Sequence, residues 1–333
     1  MVFVSIIIPT HNRTIELLNA LLHLMEQKYK DFEIVIVDDS DEPYKRMNKK
    51  IIGSLSKILT VKYMEIPPTY TSIARNIGIR HSNGNYIAFL DDDDHWLPEK
   101  LLAQMRRTEE GYDFIFTGFM KVNRKGEIVY RYRPQRAVIK NPLKLLSRSN
   151  FIATSSVLVK KRLLEDVGCF DESLPALEDY DCWLKIAEVD EEFAAVKDAL
   201  TVVTESRSSL SKDDFKQALA LIRFSMRHRT VIGREKSLSL LIKACEHLKR
   251  IEKADLNSNI HTILRKNVIG ILRSTVFDIN LLEEMKSLTR LKLLTNLMLC
   301  LLPFGSRYLI KLLWFLNDTL PPTARRFLSL IVI

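Results

Sequence analysis

The sequence has few of the residues and patterns that mark several large protein classes. Its 333 residues include only 10 glycines and 11 prolines, which excludes collagen-like and low-complexity chains. The four cysteines form no C-x-x-C pair and have no histidine at zinc-finger spacing, so neither a disulfide framework nor a structural zinc is predicted. P-loop, G-x-G-x-x-G and G-x-S-x-G motifs are also absent, which argues against kinases, nicotinamide dehydrogenases and α/β-hydrolases.

Length and charge divide the chain into two parts. At about 150 residues per domain, a chain of 333 residues predicts about two domains. The net charge of +9 is uneven, because residues 205–333 have 22 basic and 11 acidic residues whereas residues 1–204 have 28 and 30. We therefore expect a basic end that favours an anionic surface. Residues 1–8 lack a basic start and are followed by Pro9, so no signal peptide is predicted.

The first 200 residues alternate short β-type runs with helical patterns. Strands are predicted at residues 2–8, 33–37, 59–66 and 86–90, with helices at 14–25, 73–81 and 99–108. Strands separated by helices predict right-handed crossovers and a mostly parallel sheet, so this part is an α/β domain. From residue 112 the pattern is mixed. It predicts a hairpin at 113–132, a strand at 151–159 and a helix at 178–187.

Strand signals almost disappear beyond residue 205. Helical periodicity is present at residues 215–229, 235–253, 260–274 and 281–301, so we predict an α/β domain over 1–205 and an all-α region over 206–333. In the last 45 residues, short apolar stretches at 293–306, 308–316 and 327–333 are flanked by basic residues. Each is too short to span a bilayer, and together they predict helices lying in a membrane interface. The alternative is a helical subdomain that buries these faces against itself or a partner chain.

Polar residues follow three of the predicted strands at their carboxyl ends, which is where open parallel sheets bind ligands. The first strand leads into residues 9–13, the second into Asp38 and Asp39, and the fourth into the four aspartates at 91–94. If these strands are parallel neighbours, the polar groups converge on one crevice.

The run of four aspartates predicts a bound cation. Four carboxylates after a buried strand are electrostatically unfavourable unless a positive group binds there. In extended geometry Asp91 and Asp93 point one way, and Asp92 and Asp94 point the other. Carboxylates select Mg²⁺ or Mn²⁺, and Mg²⁺ usually takes one or two protein carboxylates together with water and phosphate oxygens. The run therefore predicts a metal site shared with a nucleotide diphosphate, and the alternative is a solvated acidic loop.

Five ordered motifs extend over about 180 residues. They are VSIIIPTHNR at 4–13, the segment 33–40, ARNIG at 74–78, the acidic segment 89–98, and GCFDE at 168–172 leading to EDYD at 178–181. With these motifs the sequence resembles the inverting glycosyltransferases of family 2, although it has His11 where the family often has tyrosine. The resemblance implies the GT-A nucleotide-diphospho-sugar transferase fold, with a mostly parallel Rossmann-like sheet, and it covers residues 1 to about 204.

The resemblance also implies which residues bind the donor. Asp39, with Asp38 beside it, would accept hydrogen bonds from the base, and Arg75 would lie near the nucleotide or its diphosphate. The full donor-binding set comprises Pro9, Thr10, His11, Arg13, Asp38, Asp39, Arg75 and Asp92.

The same resemblance implies that the metal ligands and the catalytic base come from different segments of the chain. Asp93 would be the metal-linked carboxylate, Asp91 would complete a D-x-D spacing, and Asp94 is the alternative ligand if the register differs. Asp179 would be the catalytic base, with Glu178 beside it. Inverting transfer needs a base on the face opposite the leaving nucleotide, so the base must come from another segment than the metal carboxylates.

The residues around the predicted base have alternative roles in helix capping and packing. Glu178 and Asp179 stand at a predicted helix start, where acidic residues also stabilise the helix dipole. Glu178, Asp181 and Trp183 would contact the acceptor by hydrogen bonding and stacking, and the last two could equally pack in the interior.

The sequence as a whole predicts a metal-dependent glycosyltransferase, of hexosyltransferase type, that uses Mn²⁺ or Mg²⁺ and a nucleotide-diphosphate sugar. The resemblance implies a UDP-sugar donor and a glycan or lipid-linked acceptor in cell-surface polysaccharide or lipopolysaccharide synthesis. The expected location is cytoplasmic, peripheral on the inner face of the plasma membrane. One alternative is a sugar-nucleotide nucleotidyltransferase, but residues 9–13 lack the glycine that a triphosphate loop needs. The other is a non-enzymatic protein that binds nucleic acid or membrane; we expect no nucleic acid partner, because basic and acidic residues are interspersed.

Overall fold

Ten strands of the described residues form one mixed sheet in the computed structural model, which describes residues 3–205 and 213–254. The strands are β1 Val4–Thr10, β2 Phe32–Asp38, β3 Val61–Glu65, β4 Tyr86–Phe89, β5 His95–Trp96, β6 Phe114–Val122, β7 Ile128–Tyr132, β8 Val138–Lys140, β9 Val157–Lys160 and β10 Glu192–Thr204. The helices are α1 Thr14–Met25, α2 Glu42–Leu55, α3 Thr71–His81, α4 Lys100–Glu109, α5 Pro142–Leu146, α6 Lys161–Asp166, α7 Glu178–Val189, α8 Asp214–Arg227 and α9 Arg229–Ala254.

The first half of the sheet is parallel, in the order β3-β2-β1-β4. Its central strands are apolar and buried on both faces, as parallel strands covered by helices must be. The helix α1 packs on the face that holds Ile34 and Ile36, and α3 packs on the face that holds Val35 and Val37. All four strands therefore present their carboxyl ends at one edge, where the sequence places its polar segments.

The second half of the sheet mixes directions. The strand β9 is antiparallel to both β4 and β6, while β10 is parallel to β6 and antiparallel to β5 and β8. The predicted hairpin is present as the antiparallel pair β6 and β7. This arrangement is the α/β sheet that the sequence predicts, although its far half has more antiparallel pairs than expected.

Several elements differ from the sequence-based expectation. The strand predicted at 151–159 is confined to β9, because a 3₁₀ turn occupies Thr154–Ser156. The long strand β10 was not predicted, since Lys197 and Asp198 interrupt its apolar pattern where the pairing with β6 shifts register. The helix α2 was also missed, because it is highly charged and buries few residues.

The described residues fall into two compact units, divided after Gly233. The helix α8 belongs to the same unit as the sheet, and Gly233 interrupts α9 with a left-handed φ of 75°. Helices occur where residues 215–229 and 235–253 predict them, whereas the domain division at residue 205 stays a prediction. The helices predicted at 260–274 and 281–301, and the apolar stretches near the C-terminus, lie outside the described residues. None of the helices within 3–205 and 213–254 has the length and apolar character needed to cross a bilayer.

Candidate functional site

An open cleft of about 1080 Å³ lies at the carboxyl ends of the parallel strands. It is lined by residues that follow β1, β2 and β4, by α3, and by the first residue of α7. The structure therefore brings most of the predicted site residues together. Those that line the cleft are Pro9, Thr10, His11, Arg13, Asp39, Arg75, Asp91, Asp92, Asp93, Asp94 and Glu178.

Arg13 joins the end of β1 to the acidic segment after β4. Its Nη1 donates hydrogen bonds to Oδ1 of Asp92 at 2.9 Å and to Oδ2 of Asp93 at 2.8 Å. The hydroxyl of Thr10 donates to the other oxygen of Asp92 at 2.8 Å. Burial raises the pKa of Asp92 to about 7, although the positive charge of Arg13 opposes this rise. Asp92 thus fixes the acidic segment against β1.

Asp94 is held by residues from the second half of the sheet. Its Oδ2 accepts a hydrogen bond from the hydroxyl of Ser155 at 2.6 Å, and its Oδ1 accepts one from the backbone N–H of Thr204 at 2.9 Å. Burial, together with the negative charges of Asp91 and Asp93, raises the pKa of Asp94 well above its ordinary value. Both oxygens are therefore engaged in holding the segment to β10 and the turn before β9, so the geometry favours Asp91 and Asp93 over this alternative ligand.

Arg75 connects the acidic segment to the start of α7. Its side chain is 4% exposed, with Nη2 donating to Oδ1 of Asp91 and Nη1 donating to Oε1 of Glu178, both at 2.7 Å. Burial lowers the pKa of Arg75, but the two carboxylates outweigh burial and leave that pKa raised. A permanent positive charge therefore lies between Asp91, which follows β4, and Glu178, which begins α7.

Asp179 lies next to Glu178 in the first turn of α7. Its Oδ2 accepts hydrogen bonds from the amide of Asn150 and the hydroxyl of Thr154, each at 3.2 Å. Burial and the adjacent charge of Glu178 raise the pKa of Asp179 to about 6, against the lowering effect of Arg75. A carboxyl group with this pKa can accept a proton close to neutral pH.

Asp39 lies at the end of the cleft formed by β1 and β2. Its Oδ2 accepts a hydrogen bond from the backbone N–H of Thr69 at 2.8 Å, and its Oδ1 lies 3.1 Å from Nδ1 of His11. The preceding residue has a different position. Asp38 is fully buried, and its Oδ2 accepts hydrogen bonds from Asn48 at 2.7 Å and from Tyr63 at 2.6 Å. The predicted contact of Asp38 with a nucleotide base does not fit this position, because Asp38 is not among the residues that line the cleft and its carboxylate is bound to neighbours in the interior.

Asp181 and Trp183 are also fully buried, which does not fit their predicted contact with an acceptor. Asp181 lies 2.8 Å from Nε2 of His228, 3.0 Å from Nη1 of Arg227 and 3.2 Å from Nζ of Lys185. The indole ring packs against three phenylalanine rings with centroid distances of 5.2 to 6.2 Å. Both side chains therefore hold α7 in place.

Two lysines of the cleft were missed at the sequence level. Lys121 lies near the end of β6, and Lys216 lies in α8 with its Nζ 5.7 Å from the ring centre of Tyr70. Both lie in segments without a recognisable motif. Only Lys121 has a local sequence signal for the cleft. It is a charged residue at the end of an apolar run, and the other cleft segments also have polar residues at the ends of apolar runs.

The acidic segment has the donor chemistry of a hard-cation site. Asp91 and Asp93 have the more exposed carboxylates, with 35% and 15% of the side chain accessible, and both line the cleft. Within the described ranges, no three histidine, cysteine, aspartate or glutamate side chains are grouped so as to hold a metal by themselves. Two carboxylates at D-x-D spacing nevertheless fit Mg²⁺ or Mn²⁺, because such ions usually complete their coordination with water and phosphate oxygens.

Sequence comparison identifies relatives of this region. Residues 5–168 match the model of the family described as Glycosyl transferase family 2. The amylovoran biosynthesis glycosyltransferase AmsB of Erwinia amylovora is 26% identical over 227 residues, which cover 65% of this chain and 75% of that protein. Three glycosyltransferases of Rickettsia species are 26% to 28% identical, and the chain spans only 27% to 46% of their lengths.

Solved structures share the architecture. S. aureus TarS 1-349 in complex with UDP superposes with a TM-score of 0.62 at 18% identity, covering 88% of this chain and 86% of that chain. The mannosyltransferase PcManGT from Pyrobaculum calidifontis, in complex with GDP-Man and Mn²⁺, gives a TM-score of 0.52 at 16% identity, covering 91% and 88%. At these identities the similarity establishes the fold. Residues 5–168 therefore form a domain that matches glycosyltransferase family 2, and the α/β sheet that contains them has the GT-A fold.

Proposed function

We propose that the chain is a metal-dependent inverting glycosyltransferase, which moves a sugar from a nucleotide-diphosphate donor to a hydroxyl group of a glycan or lipid-linked glycan. The observation that carries this proposal is the bridge through Arg75. It joins Asp91, in the segment suited to a metal and diphosphate, to Glu178, beside the proposed base, at 2.7 Å on each side. Asp91 and Glu178 line one cleft, and the proposed base Asp179, which is not itself among the lining residues, directly follows Glu178.

The donor nucleotide would bind at the end of the cleft formed by β1 and β2. Asp39 would accept hydrogen bonds from the base, while Pro9, Thr10 and His11 would line the same end. Arg13 would lie close to the diphosphate, since it is already held against the acidic segment. UDP is the proposed nucleotide, and the UDP complex of the TarS structure supports this choice.

Asp91 and Asp93 would hold the divalent cation. When bound, Mg²⁺ or Mn²⁺ offsets the negative charge that develops on the departing diphosphate. Asp92 and Asp94 would keep the two ligands in place through their hydrogen bonds to neighbouring strands. The Mn²⁺ complex of the PcManGT structure supports a metal in this fold.

Asp179 would act as the base that takes the proton of the acceptor hydroxyl. Asn150 and Thr154 orient its Oδ2 by hydrogen bonds, and a pKa of about 6 leaves the carboxylate ionised at neutral pH. A base placed across from the diphosphate favours direct displacement at the anomeric carbon. Such a displacement inverts the configuration of the transferred sugar.

The acceptor would belong to cell-surface polysaccharide synthesis, a role that the AmsB relationship supports. Such acceptors are assembled on lipid carriers at the cytoplasmic membrane, so we place the protein peripherally on its inner face. The basic C-terminal third of the chain favours an anionic surface of this kind.

A panel of nucleotide sugars tests the proposal by thermal stabilisation and by release of the nucleotide diphosphate, with and without Mn²⁺ or Mg²⁺. At least one UDP-sugar should stabilise the protein only when metal is present, and Asp93→Ala should abolish that effect. Asp179→Asn should retain donor binding and lose transfer. Stabilisation that does not depend on metal, or normal transfer by Asp179→Asn, would contradict the assignment.

A further inference from the structure

Residues 121–133 form a basic hairpin beside the cleft. This basic hairpin surface comprises the end of β6, the turn that follows it, and β7 with the next residue. It has a single acidic residue, Glu127, and five exposed basic residues, which are Lys121, Arg124, Lys125, Arg131 and Arg133. Five like charges with one acidic residue among them repel one another, and they favour an anionic partner.

A row of aromatic side chains runs along the same hairpin. The ring of Phe119 lies 6.0 Å from that of Tyr130 and 5.3 Å from that of Tyr132, which in turn lies 6.3 Å from the ring of Phe151. Tyr130 is 51% exposed, so the outer end of the row is accessible.

The inner end of the aromatic row lies close to the proposed base. Phe151 directly follows Asn150, whose amide donates a hydrogen bond to Asp179. The outer part of the hairpin meets the cleft as well. Lys121 lines the cleft and lies opposite Tyr130 in the strand pairing, and Val129 is a further lining residue. The basic hairpin surface is therefore continuous with the place where an acceptor hydroxyl would react.

We propose that the basic hairpin surface binds an anionic glycan, one that bears phosphate or carboxylate groups, with its reacting end at Asp179. This inference rests on the proposed function and specifies its acceptor class. Lysine and arginine pair with phosphate and carboxylate groups, and the faces of the tyrosine rings present a negative surface to the C–H groups of a sugar. A chain-like ligand can follow a row of rings into a cleft, whereas the flat surface of a bilayer cannot.

Charge reversal on the hairpin, made in the full chain, tests whether basic side chains attract the anionic glycan. The probes are an octamer of galacturonate as the anionic glycan and malto-octaose as the neutral one, titrated calorimetrically at about 50 and about 200 mM salt. The double variant Lys121→Glu/Lys125→Glu, which changes the lysine opposite Tyr130 and one in the hairpin turn, should weaken galacturonate binding about tenfold or more, most strongly at low salt. The matched control, Lys50→Glu/Lys57→Glu, reverses two exposed charges near α2 and should change binding less than about twofold.

The aromatic part has its own variant. Tyr130→Ala should weaken galacturonate binding, whereas Tyr130→Phe should retain it, because the ring and not the hydroxyl makes the contact. Equal affinity for the two glycans, or no effect of the hairpin charge reversal, would overturn the inference. Binding that the charge reversal abolishes for phosphatidylglycerol vesicles but not for galacturonate would also overturn it, in favour of a membrane contact.

UDP binding in the same samples separates this inference from the proposed function. Wild-type protein that binds UDP with metal but prefers no anionic glycan refutes the acceptor class alone. Protein that binds neither UDP nor any nucleotide sugar refutes the proposed function, whatever the glycan result.

Discussion

Nε2 of His228 lies 2.8 Å from Oδ1 of Asp181, and both side chains are buried. The contact joins the end of α8 to α7, the helix whose first turn contains the proposed base. The same carboxylate lies within 3.2 Å of basic groups on Arg227 and Lys185. The position of Asp179 therefore depends on a buried charge cluster two residues further along the chain.

Removal of this buried carboxylate should destabilise the α/β unit. Asp181→Ala leaves its basic neighbours without their shared counter-charge, and we expect a loss of about 3 kcal/mol in the free energy of unfolding. Urea denaturation followed by circular dichroism measures the change. Asp166→Ala is the control. Asp166 is exposed and its ion pair with Arg162 is long, at 3.8 Å, so this variant should lose less than about 0.5 kcal/mol in the free energy of unfolding. A loss as small as that of the control would contradict the role of the cluster.

Transfer activity should fall in acid with a midpoint near the pKa of Asp179. The proposed base works only when deprotonated, and burial with the nearby Glu178 raises its pKa to about 6. The value of kcat/KM should therefore be constant above this pH and fall about tenfold per unit below it. A pH profile of initial rates provides the measurement, and a profile that stays flat down to pH 4 would argue against Asp179 as the base.

Glu178→Gln should move the acid limb of the pH profile, the region in which kcat/KM falls, to lower pH. The negative charge of Glu178 raises the pKa of Asp179, so its loss favours the ionised form of Asp179 at lower pH. Glu188→Gln, at an exposed position of the same helix, should leave the limb unchanged. A shift towards higher pH in Glu178→Gln would show that the two carboxyl groups do not interact as the structure indicates.

Lys100→Met should stabilise the protein at neutral pH. Lys100 is completely buried over the ring of Trp96, and its Nζ has no hydrogen-bond partner among the described residues. Burial holds its pKa well below the ordinary value. The unfolded chain therefore binds a proton at pH values where the folded chain does not, so the wild-type lysine lowers stability increasingly as pH falls below about 10.4.

The increase in the free energy of unfolding from Lys100→Met should consequently be larger at pH 7 than at pH 10. Urea denaturation at the two pH values measures it, with a gain of about 1 kcal/mol or more expected at pH 7. Lys57→Met, at an exposed position, should show no such dependence on pH. An equal or larger gain at pH 10 would mean that the buried amine is charged in the folded state.

Local sequence pattern was sufficient to locate the residues that line the cleft at the carboxyl ends of the parallel strands. An apolar run that ends in polar residues marks the carboxyl end of a buried strand, and this rule located Thr10, Asp39 and the aspartates after β4. The expected exposure pattern is present, with Asp91 and Asp93 more exposed than Asp92 and Asp94, but the expected extended geometry is not, because these residues form a turn in which the N–H of Asp94 donates to the carbonyl of Asp91. These features depend on neighbours in the chain, which a sequence displays directly.

The proposed acceptor side, around α7 and the hairpin, depends on contacts between distant segments, so its residues were harder to predict from the sequence. Trp183 has the side chain expected to stack on a sugar, but its place on the inner face of α7 buries it among phenylalanine rings. The hairpin surface of Lys121 and Tyr130 has no motif, and only the pairing of β6 with β7 brings these residues together. Asn150 was missed for the same reason, because its role follows from a hydrogen bond to Asp179 across 29 residues.

The buried guanidinium of Arg75 has a consequence for attempts to change specificity. One nitrogen of this side chain donates to Asp91 and another donates to Glu178, the neighbour of Asp179. Under the proposed roles of Asp91 and Asp179, redesign that moves Asp91 for a different nucleotide sugar would also disturb the surroundings of the base and displace the pH optimum. Donor preference and proton transfer would then have to evolve together.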